Sequence, residues 1–545
     1  MKLWVRNAVF LVLCLAVTAL VVGRILKPQP FAGPKSFNAA DFEDVGFKRV
    51  VDRVDQAFAE AWKVAGVEPV RGAPDLTVAR RLSLALTGTI PSLEEIRAFE
   101  AHPTEQRLQW WLSHLFEDRR CNDYLAERFA RVLVGVEDGP FIVYRRHRLV
   151  SWLSDQLSRN RPYDELVRDL ISSEGIWTTK PEVNFITVTV DQNNKEEGPD
   201  ERKLAARVSR AFLGVRIDCV QCHNDMLGGR WKQQDFHQLA AFFARAEMSM
   251  TGVRDNPNKE YEYRYLGKSD KEIVPPKVPF NANLLPADGP LRQRLAAWVT
   301  HQDNRPFARE IVNRASALLF NRPLHKPIDQ ISLEGPFPPA MEILADDLIA
   351  HKFDLQRLIR VMVATRVFQL DSRSTDPGHP VTPGQEAQFA SFPLTRLRPE
   401  QVAGSVLQSA KLKTIDADSH VLVRIVRFFE QNDFLKRYGD IGEDEFDQFG
   451  GTIPQRLVMM NGKLIHERTK EDLAMNSATR IGALAPDNQT AVETAYLATL
   501  TRRPTPEELG YFVGRLRDAV NLKRPQLMED LFWTLINSTE FSWNH

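Results

Sequence analysis

Cys219-Val220-Gln221-Cys222-His223 is the stretch of this sequence whose residue types and spacing best make a reactive site. Two thiols at i and i+3 share one side of a backbone turn, and a histidine follows directly. Covalent attachment of a c-type haem needs this arrangement: the two sulfurs reach two vinyl groups, and the imidazole is left beneath the iron. With 4 Cys and 12 His in 545 residues, chance produces the pattern about once in two thousand such sequences. Cys219 and Cys222 are the expected thioether anchors, and His223 is the expected iron ligand.

Other thiol chemistry fits the same residues. In an oxidising compartment Cys219 and Cys222 can close a short disulfide loop. Zinc would take Cys219, Cys222 and His223, with His237 or Cys121 completing the shell. A thioredoxin-like pair would need a strand-to-helix setting, which the flanking pattern does not show. If haem is held, a sixth ligand must return to the face opposite His223. Met226 is too near in sequence to do so. Met248, read as the end of a helix that begins near Asp235, has enough chain to turn back, and Met250 is its near equivalent. His237 would give bis-histidine ligation instead, and methionine would raise the reduction potential relative to it.

Helices must position the motif. Leu204, Ala205, Val208 and Phe212 form one amphipathic face before Gly214, and Phe236, Leu239, Ala240 and Phe243 form another after the motif, so the cysteines fall in a loop between two helices able to wall a cofactor. Helical spacing runs from Val50 to about Ala246. Leu82 and Leu86 belong to one helix and Leu93, Ile96 and Phe99 to the next, joined at Thr87-Gly88, with Ser92 as cap and Glu94-Glu95 in the first turn. Another pair breaks at Asn160-Arg161-Pro162. Phe185 to Val190 alternates with threonines, which predicts a strand. Six prolines between Met250 and Pro290, with Tyr261, Tyr263 and Tyr265 alternating with charged residues, predict a connection that carries a small hairpin. Helical periodicity resumes at Leu291, interrupted by a loop-like stretch from Asp371 to Pro393.

The fold class expected is therefore mainly α: two helical domains after an N-terminal membrane anchor, with a small β-hairpin element in the connection. The boundaries read as 1–27 for the anchor, 28–250 and 291–545 for the helical domains, and 251–290 for the connection. Lys2 and Arg6 precede an uncharged apolar run over residues 8–22, and Arg24 and Lys27 follow it. That run is long for a signal-peptide core and slightly short for a spanning helix, and no Ala-x-Ala site follows, so an uncleaved signal anchor is expected. This places the rest of the chain on the extracytoplasmic side of the cell envelope, with the membrane as a partner.

A composition of 43% hydrophobic and 26% charged residues is that of a folded globular protein. Lys+Arg and Asp+Glu are both 71, so no cationic excess exists to neutralise a phosphate backbone, and nucleic acid is not an expected partner. The runs Arg145-Arg146-His147-Arg148 and Arg502-Arg503 read as solvated faces. The acidic residues Asp440, Glu443, Asp444, Glu445 and Asp447 lack the ligand alternation and glycine of a calcium loop. Nucleophile-elbow and phosphate-loop motifs are missing, and His466-Glu467 lacks the second histidine one turn on that a zinc-protease helix needs.

Longer stretches carry a family resemblance. LSLALTGTIPSLEEIRAF, RRHRLVSWLSDQLSRNRPYDELVRDLI, FLGVRIDCVQCHND and WKQQDFHQLAAFFA resemble the planctomycete cytochrome-c-like domain, domain of unknown function fifteen-forty-nine. REIVNRASALLFNRPL, FPLTRLRPEQVAGSVL, IPQRLVMMNG, AYLATLTRRPTPEELGYF and DLFWTLINSTEFSW resemble its companion, domain of unknown function fifteen-fifty-three. The resemblance implies an exported protein, a cytochrome label resting on the Cys-x-x-Cys-His motif, and a secreted partner of the alkaline-phosphatase/sulfatase-like type. It implies no established reaction. Two positions depart from the pattern: Asp225 stands where a second histidine is usual, and Ser316 where tryptophan is.

Overall fold

A computed structural model describes residues 33–545 apart from 36, 137–142, 192–197, 226–228, 375–377, 416–433, 436, 440–451, 471, 473–475 and 518–522. The expected anchor, Met226 and the acidic residues from Asp440 to Asp447 lie outside the described residues. No helix among the described residues is long and apolar enough to cross a membrane.

The chain is mainly helical, and local chemistry sets where its helices begin and end. Ser92 opens helix Leu93–Ala101: its Oγ accepts from the Glu95 amide (3.1 Å), while the Glu95 carboxylate accepts from the Ser92 amide (2.7 Å). Gly88, in the left-handed region, closes the preceding helix Asp75–Thr87. Helices Arg146–Ser158 and Tyr163–Ser172 are separated at Asn160, which also has positive φ.

Three two-stranded antiparallel sheets occur among the described residues. Ala246–Ser249 pairs with Gly252–Asp255, Glu262–Tyr263 with Glu272–Ile273, and Thr395–Arg396 with Trp543–Asn544. The second is a hairpin in the connection, on the tyrosine-rich segment. The expected strand from Phe185 to Val190 is instead a 3-10 turn, Pro181–Val183, running into the short helix Asn184–Thr187. Phe185, Ile186 and Thr187 are all fully buried, so the alternation was one of residue type and not of exposure. Asn184 fixes the turn, its side-chain amide donating to the carbonyls of Trp177 and Pro181 (both 2.8 Å).

One hydrophobic core runs from Phe42 to Phe392 and includes Trp111, Phe212, Phe236, Trp298 and Phe307. A second gathers Leu397 to Phe541 around Tyr496 and Phe532, with Leu84 and Ile90 reaching into it from the N-terminal side. The apolar packing thus divides near residues 392–397, whereas the sequence pattern places a division at 251–290. The proline-rich connection is not a solvated linker, because Tyr261, Val274, Val278 and Phe280 are buried in the first core.

The basic runs are partly solvated, with His147, Arg148 and Arg503 exposed, and partly ion-paired. Arg146 forks onto both oxygens of Glu127 (2.8 Å each). Arg502 bridges Glu508 and Glu540, and Arg503 pairs with Glu100.

Candidate functional site

Helix Glu201–Leu213 leads to the motif and stops at Gly214, whose φ of 61° is the left-handed conformation. A side chain there would also be crowded, since an added Cβ would lie 2.6 Å from Glu310 Oε2. The Gly214 carbonyl accepts from the Ile331 amide (2.7 Å), and Arg210 spans Asp329 (2.9 Å) and Asp218 (3.6 Å). Residues far along the chain thereby brace the entry to the motif.

The motif begins on a 3-10 turn, Asp218–Gln221, with Val220 buried beneath it. Cys219 and Cys222 are exposed free thiols, and Cys121 is buried far from them in sequence. His223 is exposed, and its Nδ1 lies 2.8 Å from the Asn224 carbonyl. A carbonyl can only accept, so Nδ1–H is the donor, and in the neutral ring Nε2 is then the acceptor nitrogen. Beyond His223, the Asp225 amide donates to the Trp231 carbonyl (3.1 Å) and the Gln233 amide to Asn224 Oδ1 (2.8 Å).

The Gln221 carbonyl, just before Cys222, receives three side-chain donors. His237 Nε2 and Gln233 Nε2 each lie 3.0 Å away, and the Tyr263 hydroxyl lies 3.3 Å away. His237 is fully buried, and its Nδ1 faces the Tyr261 hydroxyl at 2.8 Å. Its ring stacks on Tyr263, with centroids 3.4 Å apart. Burial pushes the imidazole down to about 4, against the opposing Gln221 hydrogen bond and with the Arg202 charge adding to it. With both nitrogens engaged, His237 in this arrangement is placed neither to ligate iron nor to complete a zinc shell.

Met248 is not at a helix end. The helix Gln233–Ala240 runs into a 3-10 turn, Ala241–Phe243, and Met248 stands on strand Ala246–Ser249 opposite Val253, half-buried against the core. Met250 is fully exposed at the turn. The apolar faces expected to wall a cofactor are closed: Leu204, Ala205, Val208, Phe212, Phe236, Leu239, Ala240 and Phe243 are at most 1% exposed, and their helices pack against one another. The sequence pattern found the faces but not their partner.

The departures from the family pattern have local roles. The Ser316 hydroxyl, fully buried, donates to the Arg322 carbonyl (3.0 Å), and Asp225 closes the loop after the motif through its backbone.

Elsewhere, Glu95, His114 and Asp118 form the one group of three metal-type ligands found among the described residues. Arg120 already fills it with a cation, its Nη2 lying 2.5 Å from both carboxylates. Burial alone would raise the Glu95 carboxyl, but Arg120 and His114 outweigh it and hold the group at about 2. An apolar cavity of about 60 Å³ beside Phe116, Cys121 and Ile359 and a cleft of about 430 Å³ beside Phe47, Phe99 and Arg107 are lined by no residue of the motif.

Two family models match the chain. Residues 53–248 match PSCyt2, a protein of unknown function (DUF1549), and residues 291–426 match PSD1, a protein of unknown function (DUF1553). The first match contains the whole thiol motif and His237, whereas Tyr261 and Tyr263 fall between the two. No curated protein and no solved structure matches the chain. On these matches and their order, the chain belongs to the proteins that pair a PSCyt2 domain with a following PSD1 domain.

Proposed function

We propose that the protein is an extracytoplasmic carrier of covalent c-type haem that moves electrons or supports a redox step. Cys219 and Cys222 are the thioether anchors and His223 is the proximal ligand. The observation that carries this reading is the state of His223 beside two exposed free thiols. Its Nδ1–H donates to the Asn224 carbonyl, so in the neutral ring of this exposed side chain Nε2 is the nitrogen left to ligate iron. The donor set fits the group: two thiols for the vinyl carbons and one imidazole for the iron. When bound, haem would supply a one-electron couple. On the side of the sixth position, this reading keeps Met248, the half-buried methionine held on a strand.

Residues 1–27 are proposed as the membrane anchor, and a secreted protein of the alkaline-phosphatase/sulfatase-like type as a partner. The test of the haem reading is an absorption spectrum. Full-length protein made in a host with working haem-attachment machinery should show a haem spectrum that survives denaturation and acid-acetone extraction. Protein from that host without bound haem overturns the reading.

A second reading is a scaffold or binding module in which the cysteine pair only staples a loop. The closed apolar faces beside the motif favour it, since a haem there would rest on the surface.

A further inference from the structure

We infer that His237, held between Tyr261 and Tyr263, is the positioning residue of the thiol pair, fixing the backbone between Cys219 and Cys222 before anything is attached to them. This deepens the haem-carrier reading and rests on Cys219 to His223 being the working site.

Were the helical turn to continue, the Gln221 carbonyl would receive the amide of Asp225, four residues on. That amide is committed elsewhere, to the Trp231 carbonyl. The freed carbonyl is instead held by His237 Nε2, Gln233 Nε2 and the Tyr263 hydroxyl, at 3.0, 3.0 and 3.3 Å. Three donors converging on one carbonyl fix the peptide plane that precedes Cys222. That plane sets where the second thiol and His223 leave the turn.

The holder is itself held. Gln221 offers only an acceptor, so Nε2 bears the proton of His237 and Nδ1 accepts from the Tyr261 hydroxyl (2.8 Å). Tyr263 covers the ring face at 3.4 Å between centroids, and Tyr265 meets its edge. The three tyrosines alternate along one extended segment, so one face of that segment presents all three to His237. A polar side chain as buried as His237 costs stability unless both nitrogens are satisfied. Here the satisfying groups are the site's own carbonyl and a tyrosine from a segment that neither family match covers.

The experiment uses full-length protein with its thiols free, so it is decided whether or not haem is ever attached. Native alkylation by iodoacetamide, followed by peptide mass spectrometry, gives the rates at Cys219 and Cys222, and buried Cys121 reports on unfolding. His237→Phe keeps an aromatic ring on Tyr263 and removes both polar contacts. It should change the ratio of the two rates by about fivefold or more, the factor that one hydrogen bond represents. His237→Gln, which places an N–H donor at the ε position, should restore the ratio toward wild type. An unchanged ratio in His237→Phe, with Cys121 still protected, overturns the inference. If Cys121 becomes labelled in His237→Phe, Tyr263→Phe decides, since it removes one hydroxyl only: a shifted ratio supports the positioning role and an unchanged one overturns it.

Discussion

The guanidinium of Arg292 lies 2.7 Å from the carboxylate of Asp255 and is fully buried. Its Nη1 also donates to the carbonyls of Ile171 and Ser173, at 3.2 and 2.9 Å. One side chain from the first helix after the connection thus ties together the hairpin before it and a helix end far upstream. The two matched segments are joined by this contact within one core.

Arg292→Met should therefore destabilise the protein by about 3–5 kcal/mol, because it leaves a nearly buried carboxylate and two carbonyls without their partner. Urea denaturation of the variant checks this through its midpoint. A midpoint equal to that of wild type would mean that the contact does not hold the segments together.

How much of this was legible in the sequence depends on what each signal reports. Caps are local chemistry, so Ser92 with Glu95 and the stop at Gly88 could be read directly. Phe185 to Val190 misled because period-2 alternation indicates a strand only when one face meets solvent, and in that segment residues of both parities are buried, with Val188 alone half-buried. Apolar spacing continues past Ala240 and so carries a helix toward Met248, while the turn at Ala241–Phe243 has no composition signal of its own. The thiol motif was fully visible. Its support was not, because the contact of His237 with Gln221 and Tyr261 depends on how the tyrosine segment packs back onto the motif, which no local pattern specifies.

Glu310 predicts a pH dependence. Burial pushes its carboxyl up to about 7, with the Arg314 charge opposing and Asp329 adding to the rise. The folded state then binds a proton that the unfolded chain has already lost, so this group stabilises the fold below about pH 4.5. That contribution is lost as pH rises toward 7. Glu310→Gln should flatten the fall in stability between pH 5 and 8 measured by chemical denaturation. A slope identical to wild type would show that Glu310 does not titrate in this window.

The ligand assignment to Met248 is checked on haem-loaded protein. Met248→Ala should alter the haem spectrum and lower the reduction potential, while Met250→Ala, at a fully exposed turn position, should leave both as they are. If Met248→Ala changes neither, the sixth position is open or taken by another group.

The anchor is separable from the site. Replacing residues 1–27 by a cleavable export signal should give a soluble protein with wild-type urea midpoint, since the described cores begin at Phe42. Full-length protein should instead partition with membranes. Loss of folding in the soluble form would show that the segment is structural.

Attachment of haem to Cys219 and Cys222 by covalent bonds would change the mass of the chain. The intact mass of full-length protein from a host with active haem-attachment machinery tests it most directly, beside the Cys219→Ala/Cys222→Ala double variant expressed in the same way. The expected result is a wild-type mass increased by one haem, with the added mass on the peptide that contains both cysteines, and an unmodified double variant. Wild-type protein of unmodified mass, folded and with both thiols free, would contradict it.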